Sequence, residues 1–355
     1  MSDIIHTKLY LFFLLFTINS FGQLEFNQTK IDSLFLNYPA GMPGMSYMVI
    51  KSGKIIENQN FGLANLTNKE KANNNTNYRL ASVTKQFTAY AILMLINDGE
   101  LSFSTTLTDI FDDFPKYGNL ITIQQLLTHT SGLLDYENLM KEDRTNPILD
   151  DEVLQLMKQQ DSTKFIPGSK YDYSNSAYAV LAQIVKKKTH KSYKEFIETV
   201  IFKPLKMNSS VVYTKDSEIK NRAYGYTIKN DSIVFSDQSM TSSVQGDGGI
   251  YTSLKDYFKW DNALEDNKLI LSKLKNKAYS VQSINPASEW DYGYGWRIKF
   301  NGKTKIISHS GHTSGFTNYV VKIPSQKLAI VLFSNRKNDD TVIEIGNMLL
   351  QKFAN

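Results

Sequence analysis

Ser82-Val83-Thr84-Lys85 puts a hydroxyl and an amine three residues apart where a polar stretch gives way to a helical pattern. On one helix face the two side chains are neighbours, so the lysine can take the proton that keeps a serine unreactive at neutral pH. A serine at a helix N-terminus also sits among unpaired backbone N–H groups and at the positive end of the helix dipole, both of which favour a developing oxyanion. The predicted chemistry is nucleophilic acyl transfer, with Ser82 as nucleophile and Lys85 as base. The same four-residue spacing also arises by chance on surface helices, so the reading depends on what else converges on it.

Two further clusters carry reactive groups. After Pro167-Gly168, the run Tyr171-Asp172-Tyr173-Ser174-Asn175-Ser176 leads into a helical pattern. Tyr173 could relay a proton to a leaving group, and Asn175 could donate to a substrate carbonyl while accepting from Lys85. The alternative is plain N-capping by Ser174, Asn175 or Ser176. The second cluster, His309-Ser310-Gly311-His312-Thr313-Ser314-Gly315-Phe316, follows a strand expected to end at Ser308. Its small side chains let a substrate approach the backbone, and its free N–H groups can serve an oxyanion. The two histidines raise the thought of a metal. The other histidines after residue 22 are His129 and His190, there is no cysteine and no His-Glu-x-x-His, so neither a metal nor an organic cofactor is expected.

The elements that must hold these groups are legible around them. Phe87, Ala91, Leu93, Met94 and Leu95 give the helix after Ser82 an apolar face, and Asn97-Asp98-Gly99 ends it. A helix this apolar belongs inside its domain, where Lys85 would lose hydration, and a desolvated lysine has a depressed pKa. Helical patterns at 82–98, 122–128, 150–160, 175–188 and 192–202 show no strands among them. Met45 to Ile50 and Ile55 to Phe61 read as a hairpin, as do Gly295 to Phe300 and Lys303 to Ser308 around Asn301-Gly302. Strands Phe316 to Ile323 and Leu328 to Ser334 and a closing helix from Asp340 to Phe353 follow. A further helical pattern covers 24–38. The fold class expected is α+β: one antiparallel sheet built from both ends of the chain and flanked by terminal helices, with an all-helical lobe inserted. The α/β lobe would comprise about 23–75 and 245–355, the helical lobe about 76–244, with a substrate cleft between them.

Composition bounds the function. The chain has 355 residues, enough for two lobes or one elaborated domain, and 40 Lys plus Arg against 35 Asp plus Glu give a net charge of +5. That is only mildly basic and does not argue for nucleic acid. Lys186-Lys187-Lys188 reads as a helix end complementing the dipole. At the N-terminus Lys8 precedes an apolar stretch from Leu9 to Ile18, and Ser20-Phe21-Gly22 offers small residues at the two positions a signal peptidase reads. The stretch is about half of the roughly 20 residues needed to span a bilayer. A signal peptide over 1–22, a mature chain from Gln23 and no permanent membrane anchor are expected. The absence of cysteine rules out disulfides and a cysteine-linked lipid, which fits a periplasmic or secreted bacterial protein.

In this order the motifs resemble the serine beta-lactamase and penicillin-binding protein superfamily, most closely its class C and D,D-peptidase-like branch. Ser82-Val83-Thr84-Lys85 matches the first motif, Tyr173-Ser174-Asn175 the second, and His309-Ser310-Gly311 stands in the place of the third. Leu126 to Leu133, Gly248 to Ser253 and Tyr292 to Trp296 look like three supporting stretches. The resemblance implies a beta-lactamase/transpeptidase-like fold and an acyl-enzyme on Ser82, with Lys85 accepting its proton and Tyr173 passing it to the leaving group. It implies an oxyanion hole from the N–H groups of Ser82 and His312, Asn175 holding the substrate amide or the lysine, and Tyr224 as a cleft aromatic. His129 falls in a scaffold stretch, where it would brace a turn.

Penicillin-hydrolysing members of the class C branch usually carry lysine and threonine where this chain has His309 and Ser310. A histidine, largely neutral at pH 7, grips a substrate carboxylate more weakly and with pH dependence. This weakens the case for efficient beta-lactam hydrolysis. The function expected is an exported serine hydrolase acting on an amide or ester, with D-amino acid peptides and beta-lactams as candidate small-molecule or peptide substrates. A penicillin-binding sensor or scaffold with little turnover and a carboxylesterase are the alternatives. Oligomeric state is not encoded in any motif.

Overall fold

The computed structural model describes residues 28–230 and 232–354, so the expected leader over 1–22 lies outside the described residues. Within them, Phe316–Ile323 and Leu328–Ser334 are buried at every position, and Met45–Lys51 at all but its last. These strands read as near-continuous apolar runs because both faces of their sheet are covered. The sheet has seven antiparallel strands: β1 (Met45–Lys51), β2 (Lys54–Phe61), β3 (Asp291–Tyr292), β4 (Arg297–Asn301), β5 (Thr304–Thr313), β6 (Phe316–Ile323) and β7 (Leu328–Ser334). Their order is β3-β4-β5-β6-β7-β1-β2, which pairs β1 from the front of the chain with β7 from the back.

One face of the sheet, with Tyr47, Val49, Tyr319, Val321 and Ile330, packs on the terminal helices Gln28–Phe35 and Asp340–Phe353 through Ile31, Val342, Ile345 and Leu349. The other face, with Met48, Ile50, Val320, Val331 and Phe333, packs on the middle of the chain. There the helix Lys85–Asn97 is buried at ten of thirteen positions, and Phe87 stacks on Trp260 at 4.1 Å between ring centroids. The expected helices appear as Ile123–Leu127, Asp150–Lys158, Asn175–Thr189 and Tyr193–Phe196, the last running into one π-helical turn, Ile197–Phe202.

Three expectations are corrected. The middle segment is not strand-free: Tyr78–Arg79 and Val211–Val212 flank Ile250–Thr252 in a small sheet, and Tyr226–Lys229 pairs with Ser232–Phe235. Two-residue strands are too short to show alternation. The β4–β5 loop is Gly302-Lys303, with Asn301 opposite Thr304, because the glycine at φ +57° takes the first loop position. Strand β5 also does not stop at Ser308; it continues to Thr313, pairing His309 to Thr313 with Phe316 to Val320. A helix at Leu254–Glu265 went unread, although Ser253 caps it and Leu254, Tyr257, Trp260, Ala263 and Leu264 recur at helical spacing.

Sheet and helices are tied by a buried ion pair. Lys322 on β6 lies 2.7 Å from Asp261 and 3.0 Å from Glu265, and both Lys322 and Asp261 are almost fully buried. Lys322→Met removes the cation and leaves Asp261 uncompensated in the core. Urea unfolding should show a loss of about 3–5 kcal/mol, the usual cost of breaking a buried pair; a loss below about 1 kcal/mol would contradict this role.

Candidate active site

Ser82 lies in a 3₁₀ turn, Ala81–Thr84, and the α-helix proper starts at Lys85. The preceding Ala81 has φ +50°, a left-handed conformation that costs a side-chain-bearing residue about 1–3 kcal/mol and is over-determined by its surroundings. The turn presses against β5. A Cβ placed on Gly311 would lie 2.2 Å from the Leu80 carbonyl and 3.1 Å from the Ser82 nitrogen, so only glycine lets strand and turn approach this closely. Ser82 and His312 line one small cleft of about 80 Å³, together with Arg79, Glu137, Asn175 and Asp247.

Lys85 is fully buried, and three oxygens surround its amine. Nζ lies 2.8 Å from Asn175 Oδ1, 2.9 Å from the Asp247 carbonyl and 3.3 Å from Ser82 Oγ. The two carbonyl-type oxygens can only accept, so each takes an N–H from Nζ, and the remaining direction of the amine faces Ser82 Oγ. The arrangement can therefore draw a proton from Ser82.

The loop before Asn175–Thr189 satisfies both of its readings, divided among neighbours. Ser174 is the N-cap, its Oγ accepting from Ala177 N–H at 3.1 Å, while Asn175 is released to the site. Asn175 accepts from Lys85 and donates through Nδ2 to Glu137 Oε1 at 2.9 Å. Tyr173 is half-buried; its ring centroid lies 5.0 Å from Lys85 Nζ, and its hydroxyl has no partner among the described residues. His129 braces this loop: Nδ1 accepts from the Ser174 N–H at 3.1 Å, and its ring packs on Tyr173 at 4.2 Å.

His309 departs from expectation. It is fully buried, with Nδ1 2.8 Å from the Ser310 carbonyl and Nε2 2.9 Å from the Tyr292 hydroxyl. A carbonyl only accepts, so Nδ1 carries the proton and Nε2 accepts from Tyr292. Both nitrogens are engaged, and none is left to grip a carboxylate. Burial above all, then Arg297 and Lys85, holds His309 well below the usual imidazole range. His129 is lowered likewise, by burial and then by Lys85. The cation near the third motif is Arg297 on β4, which the sequence reading missed. Its Nη1 donates to Ser310 Oγ at 2.6 Å, and its guanidinium lies 5.9 Å from the Tyr173 ring.

Tyr224 stands apart. It packs 4.9 Å from the Arg222 guanidinium and 6.2 Å from the Phe235 ring, and is not among the residues lining the small cleft. Two buried carboxyls stand behind Lys85. Asp247 is pushed up to about 6 by burial, with Lys85 opposing, and Asp150 to about 7, again by burial. Among the described residues, no group of three or more His, Cys, Asp or Glu is arranged to hold a metal ion.

A family profile described as beta-lactamase matches residues 31–353. Over 308 residues the chain is 31% identical to penicillin-binding protein 4* of Bacillus subtilis, covering 82% of this chain and 68% of that one. Among solved structures, the penicillin-binding protein from Bacillus halodurans superposes with a TM-score of 0.78 at 25% identity, over 90% of this chain and 98% of that one. An octameric penicillin-binding protein homologue from Pyrococcus abyssi gives 0.79 at 24% identity, over 91% and 77%.

The approach of β5 to the Ser82 turn yields a direct test. Gly311→Ala must push Leu80 and Ser82 away from the strand, and displacements near 1 Å cost on the order of 10²-fold in rate. Reaction with a fluorophosphonate should slow by that order while the protein still melts cooperatively. An unchanged rate would show that the two segments need not touch.

Proposed function

The chain belongs to the beta-lactamase family, within the serine beta-lactamase and penicillin-binding protein superfamily, and on that premise we propose that it is an exported serine hydrolase cleaving an amide or ester through an acyl-enzyme on Ser82. The observation that carries this reading is the buried Lys85 amine, which Asn175 and the Asp247 carbonyl hold 3.3 Å from Ser82 Oγ. Ser82 Oγ attacks the substrate carbonyl carbon as Lys85 takes its proton. The carbonyl oxygen becomes an oxyanion held by the N–H groups of Ser82 and His312. The bond to the leaving nitrogen or oxygen then breaks, and that atom receives the proton through the unpartnered Tyr173 hydroxyl. Water attacks the acyl-enzyme by the reverse route and restores Ser82.

Substrate class follows from the charge around the leaving-group side. Lysine is absent from the third motif and His309 is sealed, so Arg297 with Ser310 supplies the grip on a carboxylate. Arginine stays charged and presents a planar fork, which suits a peptide ending in a free carboxylate. Peptides ending in a free carboxylate therefore lead, ahead of neutral esters, with D-amino acid peptides and beta-lactams as the carboxylate-bearing candidates. Among the described residues no helix is long and apolar enough to cross a membrane. Export to the periplasm or medium rests on the leader read in residues 1–22.

The test compares a carboxylate-ended D-peptide, its amide-capped twin and a short neutral ester. Ser82→Ala should abolish turnover of all that wild type cleaves. Arg297→Ala should raise KM for the carboxylate-ended peptide by about 10- to 100-fold, the worth of one charge-assisted hydrogen bond, and leave the ester within about twofold. Equal effects on capped and uncapped peptides would remove Arg297 from recognition. Full activity in Ser82→Ala would end the acyl-enzyme reading.

A further inference from the structure

Lys85 is held partly by a backbone carbonyl, and a carbonyl is only as well placed as the segment that carries it. Asp247 O lies 2.9 Å from Lys85 Nζ within a single helical turn, Gln245–Gly248. Four residues cannot hold their own geometry, since nucleating a helix is unfavourable without outside contacts. The outside contact is Asp150, the first residue of the helix Asp150–Lys158. Its Oδ2 accepts from Gln245 N–H at 2.7 Å and its Oδ1 from Gly246 N–H at 3.0 Å. From the opposite side the Gly246 carbonyl accepts from Thr88 Oγ1 at 2.6 Å, one turn after Lys85 on the same helix. Thr88 Oγ1 is also 2.6 Å from the Tyr193 hydroxyl.

We propose that Asp150 is a positioning residue for Lys85: its carboxylate pins the turn Gln245–Gly248, and the Asp247 carbonyl of that turn fixes the amine against Ser82. Asp150 does not touch the reacting groups and acts only through this turn. Two charge-assisted bonds from one carboxylate are among the stronger ways to fix two backbone amides. Asp150 is almost fully buried, yet it lines a cavity of about 620 Å³ with Lys186, Tyr193 and Lys215. Asp247 acts on it electrostatically, and the Tyr136 and Tyr193 hydroxyls feel its charge.

The pin has a pH dependence of definite sign. Burial pushes Asp150 up to about 7, so it takes up a proton as the pH falls through that value. A protonated carboxyl has one good acceptor oxygen where the carboxylate has two, so one of the two amide bonds is lost on the acid side.

The effect on rate rests on the reading that Ser82 is the acylated group, and a second readout separates the two claims. Asp150→Asn keeps the shape but presents an amide nitrogen to one of the backbone N–H groups. Fluorophosphonate labelling should slow by on the order of 10- to 100-fold, and backbone amides in 244–249 should exchange faster with deuterated water. The difference in labelling rate between wild type and variant should shrink as the pH drops below about 7, where wild type loses the same contact. Should Asp150→Asn not fold, Gln245→Pro removes the backbone donor to Asp150, along with the Gln245 Nε2 bond to the Tyr213 carbonyl, at a helix-start position that follows Val244 in an extended conformation, which proline accepts. Wild-type labelling rate, or unchanged exchange in 244–249, in the folded variant overturns the proposal. Failure of wild type itself to label, with faster exchange in the variant, would sink the Ser82 reading and leave the pin standing.

Discussion

A fully buried lysine amine must have every polar contact supplied by the protein, and around Lys85 that requirement organises three separate stretches of chain. Residue 82 sits one turn before it, Asn175 comes from the start of a second helix, and Asp247 from a one-turn segment 162 residues further along. None of these holds the amine by itself. The helix Lys85–Asn97 can be buried because it is apolar nearly all round, and its burial is what makes the position of each oxygen matter. Strained backbone at Ala81 and the bare backbone of Gly311 serve the same end, bringing strand and turn together where Ser82 and His312 share a cleft.

The charge pattern divides the site in two. Arg297 holds a permanent positive charge beside Ser310, and with Lys85 and burial it keeps His309 and His129 neutral. Neutral histidines suit the parts they play: one bridges Tyr292 and the β5 backbone, the other accepts from the loop that carries Tyr173. Glu137 and Asp247 line the cleft beside Ser82, and Asp150 stands behind the turn that carries Asp247. In this chain the third motif thus provides shape, and the cation comes from the neighbouring strand.

The architecture was readable because its signals are local. β6 and β7 and the helix Asp340–Phe353 fall at the expected residues, since continuous apolar runs and clear turn chemistry mark their ends. Arg297 escaped notice for a specific reason. A loop at Asn301-Gly302 would set Arg297 opposite Ile306, whereas the true loop, one residue on, sets it opposite Ser308 and within reach of Ser310. The contacts of His309 are not legible in the sequence, which gives residue type but not which face of a strand is sealed by Tyr292. Glu137 and Asp150 carry no motif at all. Their parts depend on contacts spanning 38 and about 95 residues, which no local pattern encodes.

In the proposed mechanism Lys85 activates Ser82 and nothing else. The most direct measurement is the rate and location of covalent capture: a fluorophosphonate adduct mapped by proteolysis and mass spectrometry in wild type and in Lys85→Met. A single adduct on Ser82 is expected in wild type, with a rate reduced by on the order of 10³-fold or more in the variant, as when a general base is removed. An adduct on another residue, or capture at Ser82 with undiminished speed in Lys85→Met, would contradict it.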